Sequence, residues 1–115
     1  MAVPPEEKLL AQQHDERVVI TLPEEIDVTN SPRLREALLA VISRQPAMVV
    51  ADMTATTFCD SSGMAAIVTA YRQAVAVGAA MRLVISHPAA RRVFELSGID
   101  TVISTYPDLP AALSG

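Results

Sequence analysis

Residues 48–68 read MVVADMTATTFCDSSGMAAIV, and this stretch decides the fold because an apolar strand leads through a polar turn into a helix. The apolar run at residues 48–53 is typical of a central strand that is covered on both faces. The helix is predicted to begin around residues 60–63 and to end near Val77, where Gly78 is placed to cap it. Its buried stripe is predicted to be Met64, Ile67, Val68, Tyr71 and Val75.

The residues before this unit predict a hairpin and another helix. Residues 8–13 form a weak strand pattern and the β-branched residues 17–22 a strong one, so the pair is expected to be antiparallel. The helix that follows has Asn30 or Ser31 as its cap. Its apolar positions recur at helical spacing and are Leu34, Leu38, Val41 and Ile42.

The residues after the unit continue the alternation of strands and helices. The predicted elements are a strand at residues 81–86, a helix from Pro88 to Gly98, an edge strand at residues 101–104 and a helical turn at residues 107–113. The order β-β-α-β-α-β-α with short C-terminal elements therefore predicts an α/β fold with a mixed sheet of four to five strands.

Size and composition narrow the classes of protein that need to be considered. A chain of 115 residues has room for one core, so we divide it into a flexible tail (residues 1–7) and a single domain (residues 8–115). A net charge of -4 argues against direct nucleic-acid binding. The apolar runs are too short for a membrane span, and residues 1–10 do not resemble a signal peptide. With one cysteine and no cluster typical of metal ligands, we expect a cytoplasmic protein without a metal or other cofactor.

Two loops are expected to meet at one edge of the sheet. Residues 23–31 and 54–62 both follow parallel strands, whose carboxyl ends share an edge where α/β proteins bind partners. If the strands are neighbours, Asp27 and residues 60–63 lie on one surface. The sequence Asp60-Ser61-Ser62-Gly63 is interpreted either as a helix cap or as a site where a serine accepts phosphate, since a helix N-terminus favours negative charge. Spacing alone does not choose between them.

Three segments resemble one known family. Residues 48–68 look like the D-S-[ST]-G-[LMV] region of STAS domains, specifically of bacterial anti-sigma factor antagonists. Residues 25–35 (EIDVTNSPRLR) are similar to the family's G-E-[LI]-D and T/N-x-P-x-L-R, and residues 92–98 (RVFELSG) to its R-V-F-E-L-[ST]-G. The resemblance covers roughly residues 17–103 and implies a STAS-like fold.

The resemblance also implies a partner-switching function. The unphosphorylated antagonist binds an anti-sigma factor that is a serine/threonine kinase and thereby releases a sigma factor, in stress response or sporulation. Phosphorylation of one serine, here Ser61 with Ser62 as the fallback, switches the antagonist off, and a phosphatase resets it. The implied partner-binding residues are Glu25, Asp27, Asn30, Asp60, Ser61, Ser62, Gly63 and Met64. The antagonist is expected to be a monomer or weak dimer and not an enzyme.

Two departures and two alternatives accompany this interpretation. Glu24 replaces the family's usual glycine and adds a charge to the docking loop. Cys59 stands where an apolar residue is common, and we expect a small buried hydrophobe rather than a redox sensor.

One alternative is a STAS scaffold or ligand-sensing module without phosphorylation. The other, an enzyme with a serine nucleophile, is disfavoured because the chain lacks a G-x-S-x-G elbow and its histidines, His14 and His87, lie in predicted turns.

Overall fold

Strands and helices alternate along residues 10–114, the part of the chain that the computed structural model describes. The strands are β1 (Leu10–His14), β2 (Arg17–Thr21), β3 (Glu25–Ile26), β4 (Met48–Met53), β5 (Phe58–Cys59), β6 (Ala80–Ile85) and β7 (Ser104–Tyr106). The helices are α1 (Ser31–Ile42), α2 (Ser61–Ala76), α3 (Pro88–Ser97) and α4 (Leu109–Leu113), with a 3-10 turn at Ile99–Thr101. The predicted tail, residues 1–7, lies outside the described residues.

The main sheet has five strands in the order β1-β2-β4-β6-β7. β1 is antiparallel to β2, and every other neighbouring pair is parallel, which confirms the predicted mixed sheet and hairpin. Thr21 pairs with Asp52 near the carboxyl ends of β2 and β4. The loops that follow these two strands therefore begin side by side.

Both faces of the central strand β4 are covered, as its apolar sequence predicts. Val49, Ala51 and Met53 belong to the main core with apolar residues of α1, α2 and α3, whereas Met48 and Val50 join a smaller cluster beneath α4. An arginine anchors the end of α4, because Arg82 Nη1 donates hydrogen bonds to the carbonyls of Ala112 (2.8 Å) and Ser114 (3.0 Å). Within residues 10–114, no helix is long and apolar enough to span a membrane.

The buried stripe of α2 differs from the prediction. Ile67 is buried as expected, but Val75 is exposed and Met64, Val68 and Tyr71 are only half-buried. The buried positions are mostly occupied by small residues, namely Gly63, Ala66, Ala70 and Ala74. Small side chains let a helix lie close to its neighbours, whereas the sequence pattern gives most weight to the larger apolar residues.

The chain after α3 corrects the predicted edge strand. Gly98 ends α3 with a φ of 79°, as expected for a left-handed C-terminal cap. A 3-10 turn follows, so the strand begins at Ser104 rather than Thr101. His87 lies in the bend before α3 and is exposed, as expected, and it also caps α3 by accepting a hydrogen bond from the Ala89 N–H (3.2 Å). His14 differs from the expectation of a turn residue, because it is the last residue of β1.

Candidate functional site

A short parallel pairing of β3 with β5 joins the two loops at the carboxyl edge of the sheet. Glu25 pairs with Phe58 and Ile26 with Cys59, and Ile26 and Cys59 are both buried. The Asp60 N–H donates to the Ile26 carbonyl (3.0 Å), which continues the connection to the start of α2. Asp27 and residues 60–63 are thus brought together at one edge, as the order of the strands predicts.

A buried hydroxyl secures the base of the same pair of loops. Thr56 is completely buried, and its Oγ1 donates to the Pro23 carbonyl (2.8 Å). The Thr57 N–H donates to the Glu24 carbonyl (2.8 Å). Glu24 itself is exposed, so its carboxylate adds charge to the surface without disturbing these backbone contacts.

Asp60 caps α2 and fixes the geometry of the two serines. Its Oδ1 accepts hydrogen bonds from the Ser62 N–H (2.9 Å), the Gly63 N–H (3.1 Å) and the Ser62 hydroxyl (2.6 Å). The Ser62 hydroxyl has the largest effect on the pKa of the Asp60 carboxyl. Together with the backbone N–H groups of Gly63, Ser62 and Val28 it lowers that pKa, although burial acts in the opposite direction. Asp60 is therefore held as a carboxylate.

The adjacent serines have different surroundings. Ser62 is half-buried and its hydroxyl is bound to Asp60. Ser61 is the first residue of α2 and is exposed, and its hydroxyl makes no hydrogen bond to any other residue in the described part of the chain. Of these two serines, Ser61 is therefore the one whose hydroxyl is presented to solvent without a partner in the described part of the chain.

The loop between β3 and α1 is rigidified by its own side chains. Asp27 Oδ1 accepts a hydrogen bond from the Thr29 N–H (2.9 Å). Asn30 is the residue before α1, but its side chain does not cap the helix: Oδ1 accepts from the Asp27 N–H (3.0 Å) and Nδ2 donates to the Glu25 carbonyl (2.7 Å). The predicted capping role of Asn30 or Ser31 is therefore replaced by a role in shaping the loop, and Ser31 is buried.

Gly63 allows α2 to approach this loop closely. A Cβ atom at Gly63 would lie 2.5 Å from Ile26 Cγ2 and 2.7 Å from Cys59 Sγ, distances that no real side chain tolerates without movement. Gly63 is buried, and Met64 is half-buried against the core. Of the residues predicted to bind a partner, these two therefore act mainly in packing, whereas Glu25 and Ser61 are exposed.

The Cys59 thiol is buried, as predicted for a small hydrophobe. Burial, with a smaller effect from the Asp60 carboxylate, raises the pKa of this thiol to about 12. Its Sγ lies 3.6 Å from the Asp60 carbonyl. A thiol in this state is a poor nucleophile.

Three surface features of these loops and of α1 are absent from the prediction. Val28 and Phe58 are large apolar residues that remain exposed. Arg35 lines a groove of about 210 Å³ between α1 and α2, with Ser62 and Thr69 among its other lining residues. A two-residue strand and a single exposed loop valine have no periodicity, so hydrophobic patterning gives no signal for them.

The arrangement agrees with one family of known proteins. The family model for the STAS domain matches residues 8–112. The chain belongs to the STAS domain family. It is 31% identical to an anti-sigma factor antagonist from Mycobacterium paratuberculosis, over 92% of this chain and 90% of that one, and their structures superpose with a TM-score of 0.85.

Two further proteins are similar to this chain at lower sequence identity. The anti-sigma-F factor antagonist RsfB of Mycobacterium tuberculosis is 26% identical over the whole of this chain and 93% of its own length. The structure of the Bacillus cell fate determinant SpoIIAA in its phosphorylated form shares the fold, with a TM-score of 0.69 at 23% identity over 91% of this chain and 96% of that one. These relatives carry the names of regulatory proteins.

Proposed function

We propose that this STAS protein is an anti-sigma factor antagonist that binds an anti-sigma factor serine kinase and is switched off by phosphorylation of Ser61. The single observation that carries the proposal is the difference between the two serines: the Ser61 hydroxyl is exposed and unbonded, whereas the Ser62 hydroxyl is bound to Asp60. A kinase needs an accessible hydroxyl. Ser61 therefore takes precedence over Ser62 as the phosphoacceptor.

In the binding state, the two loops act as one docking surface for the kinase. The pairing of β3 with β5 and the Asn30 side chain hold this surface in place before a partner arrives. Preformed surfaces bind more tightly because less conformational entropy is lost. Binding the kinase displaces the sigma factor, and the protein carries out this role in the cytoplasm as a monomer or weak dimer.

In the phosphorylated state, the fold persists and the complex is lost. A phosphate adds about 1.5 to 2 negative charges at pH 7, and a helix N-terminus tolerates such charge. The same charge in the docking surface opposes binding through its bulk, its repulsion of nearby carboxylates and its desolvation. Removal of the phosphate by a phosphatase restores the binding state.

A displacement experiment tests this function. Each anti-sigma factor kinase encoded in the source genome is purified with its sigma factor, and the unphosphorylated protein is added at increasing concentration. We expect one of these complexes to release its sigma factor on native gels, and we expect protein that is phosphorylated beforehand to release none. If no complex releases its sigma factor, or if both forms release it equally, the proposal is wrong.

A further inference from the structure

Two large apolar side chains are exposed in the two loops at the carboxyl edge of the sheet. Val28, in the loop between β3 and α1, is 68% exposed, and Phe58, at the start of β5, is 51% exposed. Single exposed apolar residues are normal on a protein surface, but aromatic residues are enriched at protein–protein contacts. Phe58 belongs to the β3–β5 pairing, and Val28 lies two residues after β3.

The pairing of β3 with β5 joins the two loops that carry Val28, Phe58 and Ser61. Ile26 pairs with Cys59, and both side chains point into the core. Val28 follows Ile26 by two residues in the loop after β3, and Ser61 follows Cys59 by two residues at the start of α2. The Asp60 N–H donates to the Ile26 carbonyl (3.0 Å), which joins the end of β3 to the residue before α2.

The charge around these apolar residues has one sign. Residues 23–30 and 54–63 contain four acidic residues and no lysine or arginine, a formal charge of -4 that equals the net charge of the whole chain. The four are Glu24, Glu25, Asp27 and Asp60. The nearest basic residues in sequence, Arg33 and Arg35, belong to α1. A partner with basic side chains would be attracted to this surface.

We propose that Val28 and Phe58 are the apolar anchors of the kinase complex, and that they fit an apolar recess on the kinase rimmed by lysine or arginine. This inference rests on the function proposed above and names the chemistry of the partner surface. A few apolar anchors in desolvated pockets usually supply most of the affinity of an interface. Charged residues at its rim mainly increase the rate of association.

The anchors also account for the direction of the switch. A phosphate beside a basic rim would by itself strengthen binding, but a phosphate beside seated apolar side chains loses its hydration. Desolvation is screened little by salt, whereas repulsion between exposed charges weakens as salt rises. The affinity lost through Ser61→Asp should therefore persist when the salt concentration rises from about 0.1 M to about 1 M, where the screening length falls from about 10 Å to about 3 Å.

The test compares matched substitutions of exposed apolar residues. The double variant Val28→Ser/Phe58→Ser is titrated by calorimetry into the kinase that binds the wild type. The control is Val75→Ser, because Val75 is 58% exposed and lies on α2 about 21 Å from Ser61. We expect the double variant to bind at least about 30-fold more weakly and the control to bind within about twofold of the wild type.

The outcomes separate this inference from the proposed function. If the wild type binds a kinase and the double variant binds it equally well, Val28 and Phe58 are not anchors, and the proposed function stands. If the wild type binds none of the anti-sigma factor kinases of the source genome, both are wrong. Should the double variant fail to fold, the single variant Val28→Ser decides, because Val28 is largely exposed and we expect it to bind at least about fivefold more weakly. Unchanged binding of Val28→Ser would then overturn the inference.

Discussion

The Ser62 hydroxyl donates a hydrogen bond of 2.6 Å to the Asp60 carboxylate, which also accepts the Ser62 N–H. The helix cap therefore engages the Ser62 hydroxyl in a hydrogen bond and leaves the adjacent Ser61 hydroxyl exposed. Cap and phosphoacceptor are therefore not competing interpretations of residues 60–63. Asp60 and Ser62 form the cap, and Ser61 is available for modification.

The cap should make stability depend on pH in a defined direction. The pKa of Asp60 lies below its ordinary value of 3.8, so its carboxylate stabilises the folded state above that pH, and this contribution is lost as the pH falls through 3.8 and then through the lower value of the folded state. Asp60→Asn keeps an N-cap acceptor that does not titrate there. Urea unfolding should show a steady difference in unfolding free energy between wild type and variant from about pH 7 to 5 that shrinks below about pH 4. A difference that does not change with pH contradicts this assignment.

Charge at Ser61 should separate binding from folding. Ser61 is exposed at the start of α2, so Ser61→Asp should change the free energy of unfolding by less than about 0.5 kcal/mol. The same change should weaken kinase binding at least about tenfold, as measured by calorimetry. Ser61→Asn is the control because it has nearly the same size without the charge. Equal affinities of the wild type and Ser61→Asp would show that charge is not the signal.

The close approach of α2 to β3 should make Gly63 hard to replace. In Gly63→Ala the new methyl group would overlap Ile26 Cγ2, and overpacking of this kind costs about 1–3 kcal/mol. Thermal unfolding should show a lower melting temperature. Ser61→Ala, two positions earlier and exposed, is the control and should melt close to the wild type.

Relief of the overlap provides a second measurement at Gly63. Ile26→Ala removes the methyl group that Gly63→Ala would meet, so the combined variant should lose less stability than the sum of the two single losses. Strictly additive losses would mean that these two side chains do not clash.

Cys59 should be chemically inert in the folded protein. With a pKa of about 12 instead of 9.0, its thiolate fraction near pH 8 is lower by about a thousandfold, and burial blocks access as well. Alkylation by iodoacetamide should therefore be at least about a thousandfold slower in the native protein than in urea. Rapid labelling without unfolding would revive the interpretation of Cys59 as a redox sensor.

The main sheet could be predicted from sequence because its strands are long apolar runs separated by clear helix signals. Residues 48–53 have the unbroken pattern of a buried strand, and Gly98 is a helix terminator that depends on local backbone geometry alone. The prediction of the buried residues of α2 was wrong, because burial there depends on which side of the helix contacts neighbouring elements. Val75 is more hydrophobic than Ala74, but α2 buries Ala74 and leaves Val75 58% exposed.

At the candidate site, sequence reasoning identified the two loops but not the contacts that order them. The resemblance to antagonists draws attention to Asp27 and Ser61, and the parallel order of β2 and β4 explains why the loops are neighbours. The pairing of Ile26 with Cys59 involves only two residues in each strand, too few for a periodic signal. The sequence predicts that the Asn30 side chain caps α1. The same amide group can instead form hydrogen bonds within the loop, and only the tertiary structure distinguishes the two roles.

The central claim, that Ser61 is the phosphoacceptor, is tested most directly by intact-mass spectrometry after incubation with the cognate kinase and ATP. Wild type and Ser62→Ala should each gain a single phosphate, with Ser62→Ala modified at a rate within a few fold of the wild type, and Ser61→Ala should gain none. No gain by the wild type, or a phosphate that persists in Ser61→Ala and disappears in Ser62→Ala, would contradict the account.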